Sequence, residues 1–427
     1  MNTNAILIKN GRVIDPKTGR DEVMDLLIRG DTIDQIGIIR AREGMTLIDA
    51  EGKLVIPGLI DMHVHLRDGG QNAKETIKTG TLAAVAGGTT RVMTMPNTSP
   101  PLDCSESIKA YRGIIQKDAC ISVNIVAAIS KKLEGKVLAD FSQYPALGIR
   151  FVSDDGFDID DETLLEEAYR QAAQWKLTVM THPEVHSIAP TGVVNEGDIS
   201  QKLGVPGQPN EKEWKAVERG IRLALKTGAR AHFTHLSTKE SIELIRKAKR
   251  ESIMITCDVT VHHLALTEES VLRQKGLAKV NPPLRTEEDR LALIDGIRDG
   301  TVDAITTDHA PHCEAEKKVE LTKAAFGFSE VELRLPIALT ELYFKQNIDL
   351  MHVIHLMTDR PAKLMGLKTG CFETGQPADV VIVDLKAEKT VDRHKLVSKG
   401  KNSPFHGVTL RGWPIMTIVA GEIKWKK

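Results

Sequence analysis

Between residues 57 and 367, short apolar runs alternate with longer amphipathic stretches, and this alternation limits the fold more than any other feature of the chain. The runs at 90–95, 121–128, 176–181, 230–236, 253–259 and 304–307 have the length and composition of buried strands. The stretches at 105–117, 161–174, 211–227, 239–250 and 286–298 carry apolar residues at helical spacing. With an opening strand at 58–68 and another ending in 148–156, roughly eight strands result, most of them followed by a helix. Repeated βα units imply a parallel sheet. The length of the segment fits a (β/α)8 TIM-type barrel with loop insertions. An open doubly wound sheet is the alternative, but no G-x-G-x-x-G follows any strand, and Gly87-Gly88 reads as a helix-to-strand turn.

The two ends of the chain have a different texture. Residues 5–55 carry short alternating runs broken at Asn10-Gly11 and Gly30-Asp31, the pattern of a small antiparallel β unit. After Gly370, β-like runs return in Ala378-Asp-Val-Val-Ile-Val-Asp384 and from Met416 onward. Residues 1–56 and 368–427 are therefore expected to meet in one composite β domain beside a barrel of residues 57–367.

Charge and cysteine usage narrow the function. The 427 residues hold 57 basic and 58 acidic side chains, a net charge of -1, so a general nucleic-acid or anionic-membrane binder is excluded. Five scattered cysteines without a C-x-x-C pair suit a reducing cytosol better than a disulfide framework. No apolar run reaches the ~18 residues needed to span a bilayer. The N-terminus also lacks the apolar core of a signal peptide, and a cytoplasmic protein is expected.

Polar residues at the carboxyl ends of barrel strands are the place to look for chemistry. In Gly58-Leu-Ile-Asp-Met-His-Val-His-Leu-Arg-Asp68, strand alternation puts Ile60, Met62, Val64 and Leu66 on one face. It puts Asp61, His63, His65 and Arg67 on the other, a set costly to bury without a metal and an anionic ligand. Asp154 and Asp155 close the strand before Gly156, His182 stands at the end of the 176–181 strand, and His235 near the end of the 230–236 strand. His232, of opposite parity to His235, reads as structural and facing the helices; His262 and His263 read as packing residues. Asp308 shares a face with Ala304 and Thr306 and could be a ligand, a general base or a cap. Cys313 reads as an ordinary loop residue. His63, His65, Asp155, His182, His235 and Asp308 thus share one end of successive strands. Mixed histidine and carboxylate ligation suits Zn²⁺ or a similar divalent ion. Six groups exceed one tetrahedral site, so two metals bridged by a carboxylate fit the count. Such a centre drives hydrolysis.

The stretches His63-Val-His-Leu-Arg67, Met95-Pro-Asn-Thr98, Ser153-Asp-Asp-Gly156, Asn281-Pro-Pro-Leu-Arg285, Thr307-Asp-His-Ala-Pro-His312 and Asn402-Ser-Pro-Phe405 closely resemble class I dihydroorotases of the amidohydrolase superfamily. The resemblance covers nearly the whole chain. It implies that His63, His65 and Asp308 hold one metal and His182 and His235 a second, with Asp155 bridging, as one or two Zn²⁺ per subunit. It further implies that Arg67 and Asn97 bind the substrate carboxylate beside His65, helped by His312, while Asn281 and the Phe326-Gly327 backbone contact the ring. The implied reaction is reversible hydrolysis of L-dihydroorotate to N-carbamoyl-L-aspartate, the third step of de novo pyrimidine synthesis, with Asp308 moving the proton. A homo-oligomer and a complex with aspartate carbamoyltransferase are permitted by the same resemblance.

Three departures stand out: Gly69 where proline is usual, Pro183 where cysteine is usual, and Ser329-Glu-Val-Glu-Leu-Arg334 in place of a glycine-containing stretch. The rivals are a dihydropyrimidinase (hydantoinase) or allantoinase, which typically bridge their metals with a carboxylated lysine absent from 148–156, and a non-catalytic scaffold, which would be expected to lose ligands.

Overall fold

The computed structural model describes residues 5–251 and 254–427. Parallel strands β1 (Leu59–Val64), β2 (Thr89–Thr94) and β3 (Ser122–Ile125) form one sheet. β4 (Phe151–Val152), β5 (Thr178–Thr181), β6 (Arg230–Phe233), β7 (Ile255–Thr260) and β8 (Ala304–Thr306) form a second. Two parallel bridges beyond the strand ends, Ala127 with Val152 and Val64 with His309, join the sheets into a ring of eight. The second seam is closed by the His65 amide donating to the His309 carbonyl at 2.8 Å. The expected barrel is present, and the expected start of β7 at Ile253 lies outside the described residues.

The helices begin where side chains cap them. Asp161 accepts from the Thr163 and Leu164 amides, Thr238 from Ser241, and Thr286 from Asp289, each satisfying first-turn donors that the helix itself leaves free. The helix Glu211–Thr227 ends at Gly228 with φ +73°, a left-handed stop suited to glycine. Among the described residues, no helix is long and apolar enough to cross a membrane.

One sequence expectation fails in β1. Its pairing with β2 is irregular between Asp61 and Val64, a bulge that shifts side-chain parity. Ile60 and Met62 join Met93, Met95, Val126, Phe151, Met180 and Ala304 in one cluster, with Ala362 and Met365 packed against them. Val64 and Leu66 belong to the larger cluster shared with the helices. Asp61 correspondingly does not join the His63 ring: its carboxylate accepts from the His63 amide at 3.3 Å and the Thr307 hydroxyl at 2.7 Å, and lies 3.8 Å from the Arg334 guanidinium.

The chain ends share one eight-stranded sheet. Val380–Thr390 pairs antiparallel with Leu54–Pro57 and so joins the C-terminal strands to the N-terminal ones. The N-terminal unit is not purely antiparallel, because Ala5–Asp15 runs parallel to both Met45–Asp49 and Leu54–Pro57. A strand that returns by a crossover rather than a hairpin pairs in this way.

Arg334, fully buried, donates to the Ile60 carbonyl at 2.6 Å, to Ile305 at 3.3 Å and to the Thr89 hydroxyl at 3.1 Å. It thereby ties β1, β2 and β8 together from outside the ring. Replacing it with methionine leaves buried carbonyls unpaired and Asp61 without its counter-charge. R334M is expected to lower the unfolding free energy by about 3–5 kcal/mol, read from the urea midpoint. A wild-type midpoint would contradict the role.

Candidate active site

The six expected groups converge at the carboxyl rim of the barrel. His63 Nε2 lies 3.3 Å from Asp155 Oδ1 and 3.4 Å from Asp308 Oδ1. His65 Nε2 lies 3.0 Å from Asp308 Oδ1 and 3.5 Å from Asp155 Oδ2. On the other side of Asp155, His182 Nδ1 and His235 Nε2 stand 3.7 and 3.9 Å from its Oδ1. Two triads with metal-ligand spacing result, His63/His65/Asp155 and Asp155/His182/His235, sharing the aspartate.

The donor set fits divalent ions on its own chemistry. His63 Nε2 and Asp155 Oδ1 are buried with no hydrogen-bond partner, a cost that coordination would remove. Burial opposes charge on His63, yet Asp155 and Asp308 outweigh it and lift its pKa to about 9. Burial also works against ionising Asp155 and Asp308, but the imidazoles hold both below the usual carboxylate range. A metal ion binds the deprotonated ring nitrogens, so its binding would be coupled to proton release.

Several of these residues sit on costly backbone. Arg67, His235 and Asp308 adopt φ of +58°, +39° and +48°, a region that side chains other than glycine enter at a cost and that clusters at functional sites. Each lies just beyond its strand, so the turn, rather than strand alternation, aims the side chain.

A layer of partners fixes the rings of His65, His63 and His182. Asn97 Oδ1 pairs with His65 Nδ1 at 2.9 Å, and its amide nitrogen reaches Asp155 at 3.2 Å. His63 Nδ1 meets the Thr234 hydroxyl at 2.8 Å, which in turn donates to Asp258 at 3.0 Å. His182 Nε2 is 2.9 Å from Glu184, whose other oxygen takes the Lys212 ammonium at 2.7 Å. Such carboxylate–histidine contacts set ring orientation and raise ligand basicity.

Thr234, Asp258 and Glu184 were missed by sequence reasoning, though signals existed. Glu184 lies two residues from His182, and Asp258 is the one carboxylate within an otherwise apolar or threonine-bearing strand. Asp258 also receives the His235 amide, the Thr306 hydroxyl and His232 Nε2. His232 therefore does not face the helices as expected. It pairs with Thr256 and Asp258 of the neighbouring strand, and parity counted across the turn at His235 misplaces it. His262 and His263 are buried against Glu330 and Pro282, respectively.

A cavity of about 210 Å³ opens beside the cluster, lined by His65, Arg67, Asn97, Asn281, Phe326 and Gly327 among others. The Arg67 guanidinium has no ion pair or side-chain hydrogen bond among the described residues, and its Nε is buried without a partner. Asn281 donates to Glu184 at 2.8 Å and lies 3.1 Å from His182 Nε2. The His312 amide donates to Asn402 Oδ1 at 2.9 Å, and its Nδ1 lies 3.5 Å from the Lys74 ammonium. Burial, Arg67 and Lys74 push the His312 pKa down to about 3, so the ring is neutral. Of the departures, Gly69 adopts φ +91°, which the proline ring forbids. The stretch 329–334 is a junction: Glu332 accepts the Val397 and Ser398 amides.

An eight-stranded barrel with two histidine triads sharing a carboxylate at its rim is the arrangement of a metal-dependent hydrolase of the amidohydrolase type. The comparisons narrow this. A family model described as Dihydro-orotase-like matches residues 52–241. A dihydroorotase of Thermoanaerobacter sp. (strain X514) is 43% identical over 99% of this chain and 97% of its own. One from Halalkalibacterium halodurans is 40% identical over 99% and 98%. An L-hydantoinase (dihydropyrimidinase) from Arthrobacter aurescens shares the fold with a TM-score of 0.89 at 24% identity, over 99% of this chain and 96% of that one. The chain belongs to the dihydroorotase family.

Glu184 offers a test of how the second triad is held. E184Q keeps the shape but removes the charge behind His182, and metal affinity is expected to fall about 10–100-fold. Metal content after dialysis against a graded chelator series reads the change, and unaltered retention would show that Glu184 does not support the site.

Proposed function

We propose that the chain catalyses reversible hydrolysis of the cyclic amide of L-dihydroorotate to N-carbamoyl-L-aspartate in pyrimidine synthesis. The names of its relatives support the reaction, and one observation carries the choice of substrate. Arg67, unpaired and partly buried, lines the cavity next to His65. A guanidinium takes a carboxylate through two parallel charge-assisted hydrogen bonds, and dihydroorotate has a carboxylate where the uncharged rings of hydantoinase substrates have none. Asp155, rather than a lysine, between the triads points the same way.

Divalent ions, Zn²⁺ in this reading, held by His63, His65 and Asp308 and by His182 and His235 with Asp155 shared, would polarise the ring carbonyl and make water acidic. The chain's own residues do the rest. Arg67 and Asn97 hold the carboxylate, and Asn281 with the Phe326-Gly327 backbone faces the ring, placing the scissile amide over the triads. Asp308 starts ionised, because His63 and His65 hold its carboxyl below the usual range. It takes a proton as the water oxygen bonds to the carbonyl carbon. It then delivers that proton to the ring nitrogen as the C–N bond breaks, and the reverse sequence closes the ring. All five cysteines are free, which fits the cytoplasmic setting we assign.

Turnover of dihydroorotate, dihydrouracil and allantoin by one purified sample, with metals quantified in it, tests the reading. Preference for dihydroorotate, loss of activity on chelation and recovery with Zn²⁺ are expected; preference for an uncharged ring defeats it. D308A is expected to lose about 10²–10⁴-fold in kcat while metal remains. R67Q should raise KM for dihydroorotate at least about tenfold, the scale of one lost charge-assisted contact.

A further inference from the structure

We infer that Asn402, carried by the C-terminal segment, is a positioning residue that fixes one wall of the substrate cavity. The inference rests on the reading that this cavity takes dihydroorotate through the Phe326-Gly327 backbone. Asn402 is 1% exposed, and all four of its hydrogen-bonding positions are used on that wall. Its amide nitrogen donates to the Ala310 carbonyl at 3.0 Å and the Gly327 carbonyl at 2.9 Å. Its oxygen accepts the His312 amide at 2.9 Å and the Ser329 hydroxyl at 2.7 Å. An amide can do no more. One side chain therefore reinforces the pairing of two strips of backbone, 310–312 and 327–329, whose main chains meet where the Ala310 amide donates to the Phe328 carbonyl at 2.7 Å, and ties both to the C-terminal segment.

The approach of the segment to this wall is close. A Cβ on Gly400 would strike the Ser329 hydroxyl, come within 2.5 Å of Pro311 Cβ and within 2.9 Å of Asn402 Oδ1. Gly327, at φ +127°, lies so near Ala310 that a Cβ there would sit 2.6 Å from the Ala310 methyl. The gap between the strips has no slack.

A second clamp acts on the same carbonyl. The Lys317 ammonium donates to the carbonyls of Lys279 at 2.9 Å, Ala325 at 2.7 Å and Gly327 at 3.0 Å, using its three protons. Lys317 holds the 325–327 strip from the loop side, and the Asn402 side chain adds a link from it to Ala310 and to the C-terminal segment, beside the Ala310–Phe328 main-chain hydrogen bond. Losing that link should let Phe326-Gly327 move relative to Arg67, and small displacements of positioning groups are costly to binding. Asn402 touches none of the triad residues, so ion binding and proton transfer should be spared.

The test compares wild-type holoenzyme, N402A and S329A, the last deleting only the hydroxyl donated to Asn402. For N402A, KM for dihydroorotate should rise about tenfold, the effect expected of broken buried hydrogen bonds, with kcat within about twofold and metal content unchanged. Amides of 310–312 and 325–329 should exchange with deuterium faster in N402A, and S329A should move the same peptides with a KM rise of about two- to threefold. If N402A does not fold, S329A alone decides. Unchanged exchange in those peptides, an unmoved KM, or KM and kcat failing together with metal loss overturns the inference. A wild-type enzyme inactive on dihydroorotate sinks the functional reading instead, and the exchange data then decide on Asn402 alone.

Discussion

The rim is organised around one carboxylate facing four imidazoles. Asp155 has His63, His182 and His235 around one oxygen at 3.3–3.9 Å and His65 near the other at 3.5 Å. Gathering so many titratable groups out of water is unfavourable unless their charges are matched. Asp308 adds a second carboxylate at the same place, 3.4 Å from His63 and 3.0 Å from His65. The outer partners Asn97, Thr234, Glu184 and Asp258 then dictate which ring nitrogen is left to face the centre. The unfavourable φ values at Arg67, His235 and Asp308 are tolerated because this network over-determines them.

Much of this was legible in the sequence, for definite reasons. The helices Glu211–Thr227 and Lys239–Arg250 coincide with their expected bounds because their stops and starts are local: Gly228 ends one and Thr238 caps the other. The histidines could be placed because each stands near the carboxyl end of an apolar run, although the run expected over 230–236 is a strand only to Phe233. Parity failed where the backbone stopped being a regular strand. The bulge in β1 sends the Asp61 carboxylate to Thr307 and Arg334 instead of to the His63 ring, and the turn at His235 puts His232 on the same network as its neighbour. Neither irregularity has a proline or glycine to announce it.

What remained hidden was long-range. The pairing of Arg334 with carbonyls of residues 60 and 305, or of Asn402 with residues 310 and 327, spans tens to hundreds of residues and leaves no periodic trace. The 329–334 stretch illustrates the point. Read against the family pattern it is an oddity near the ring-binding backbone. In three dimensions Ser329, Glu330, Glu332 and Arg334 face four different partners and join barrel to C-terminal segment.

The seam between the first and last barrel strands lies beside the triads: Val64 bridges to His309, and the flanking residues are His65 and Asp308. Groups on both lips of this joint would hold the same cation. Opening the ring there would therefore pull the ligands apart, and an ion that prefers the closed form makes opening harder in proportion to its binding. Ion loading and cohesion of the scaffold would thus be thermodynamically linked, and removing the ion would loosen this joint as well as empty the site.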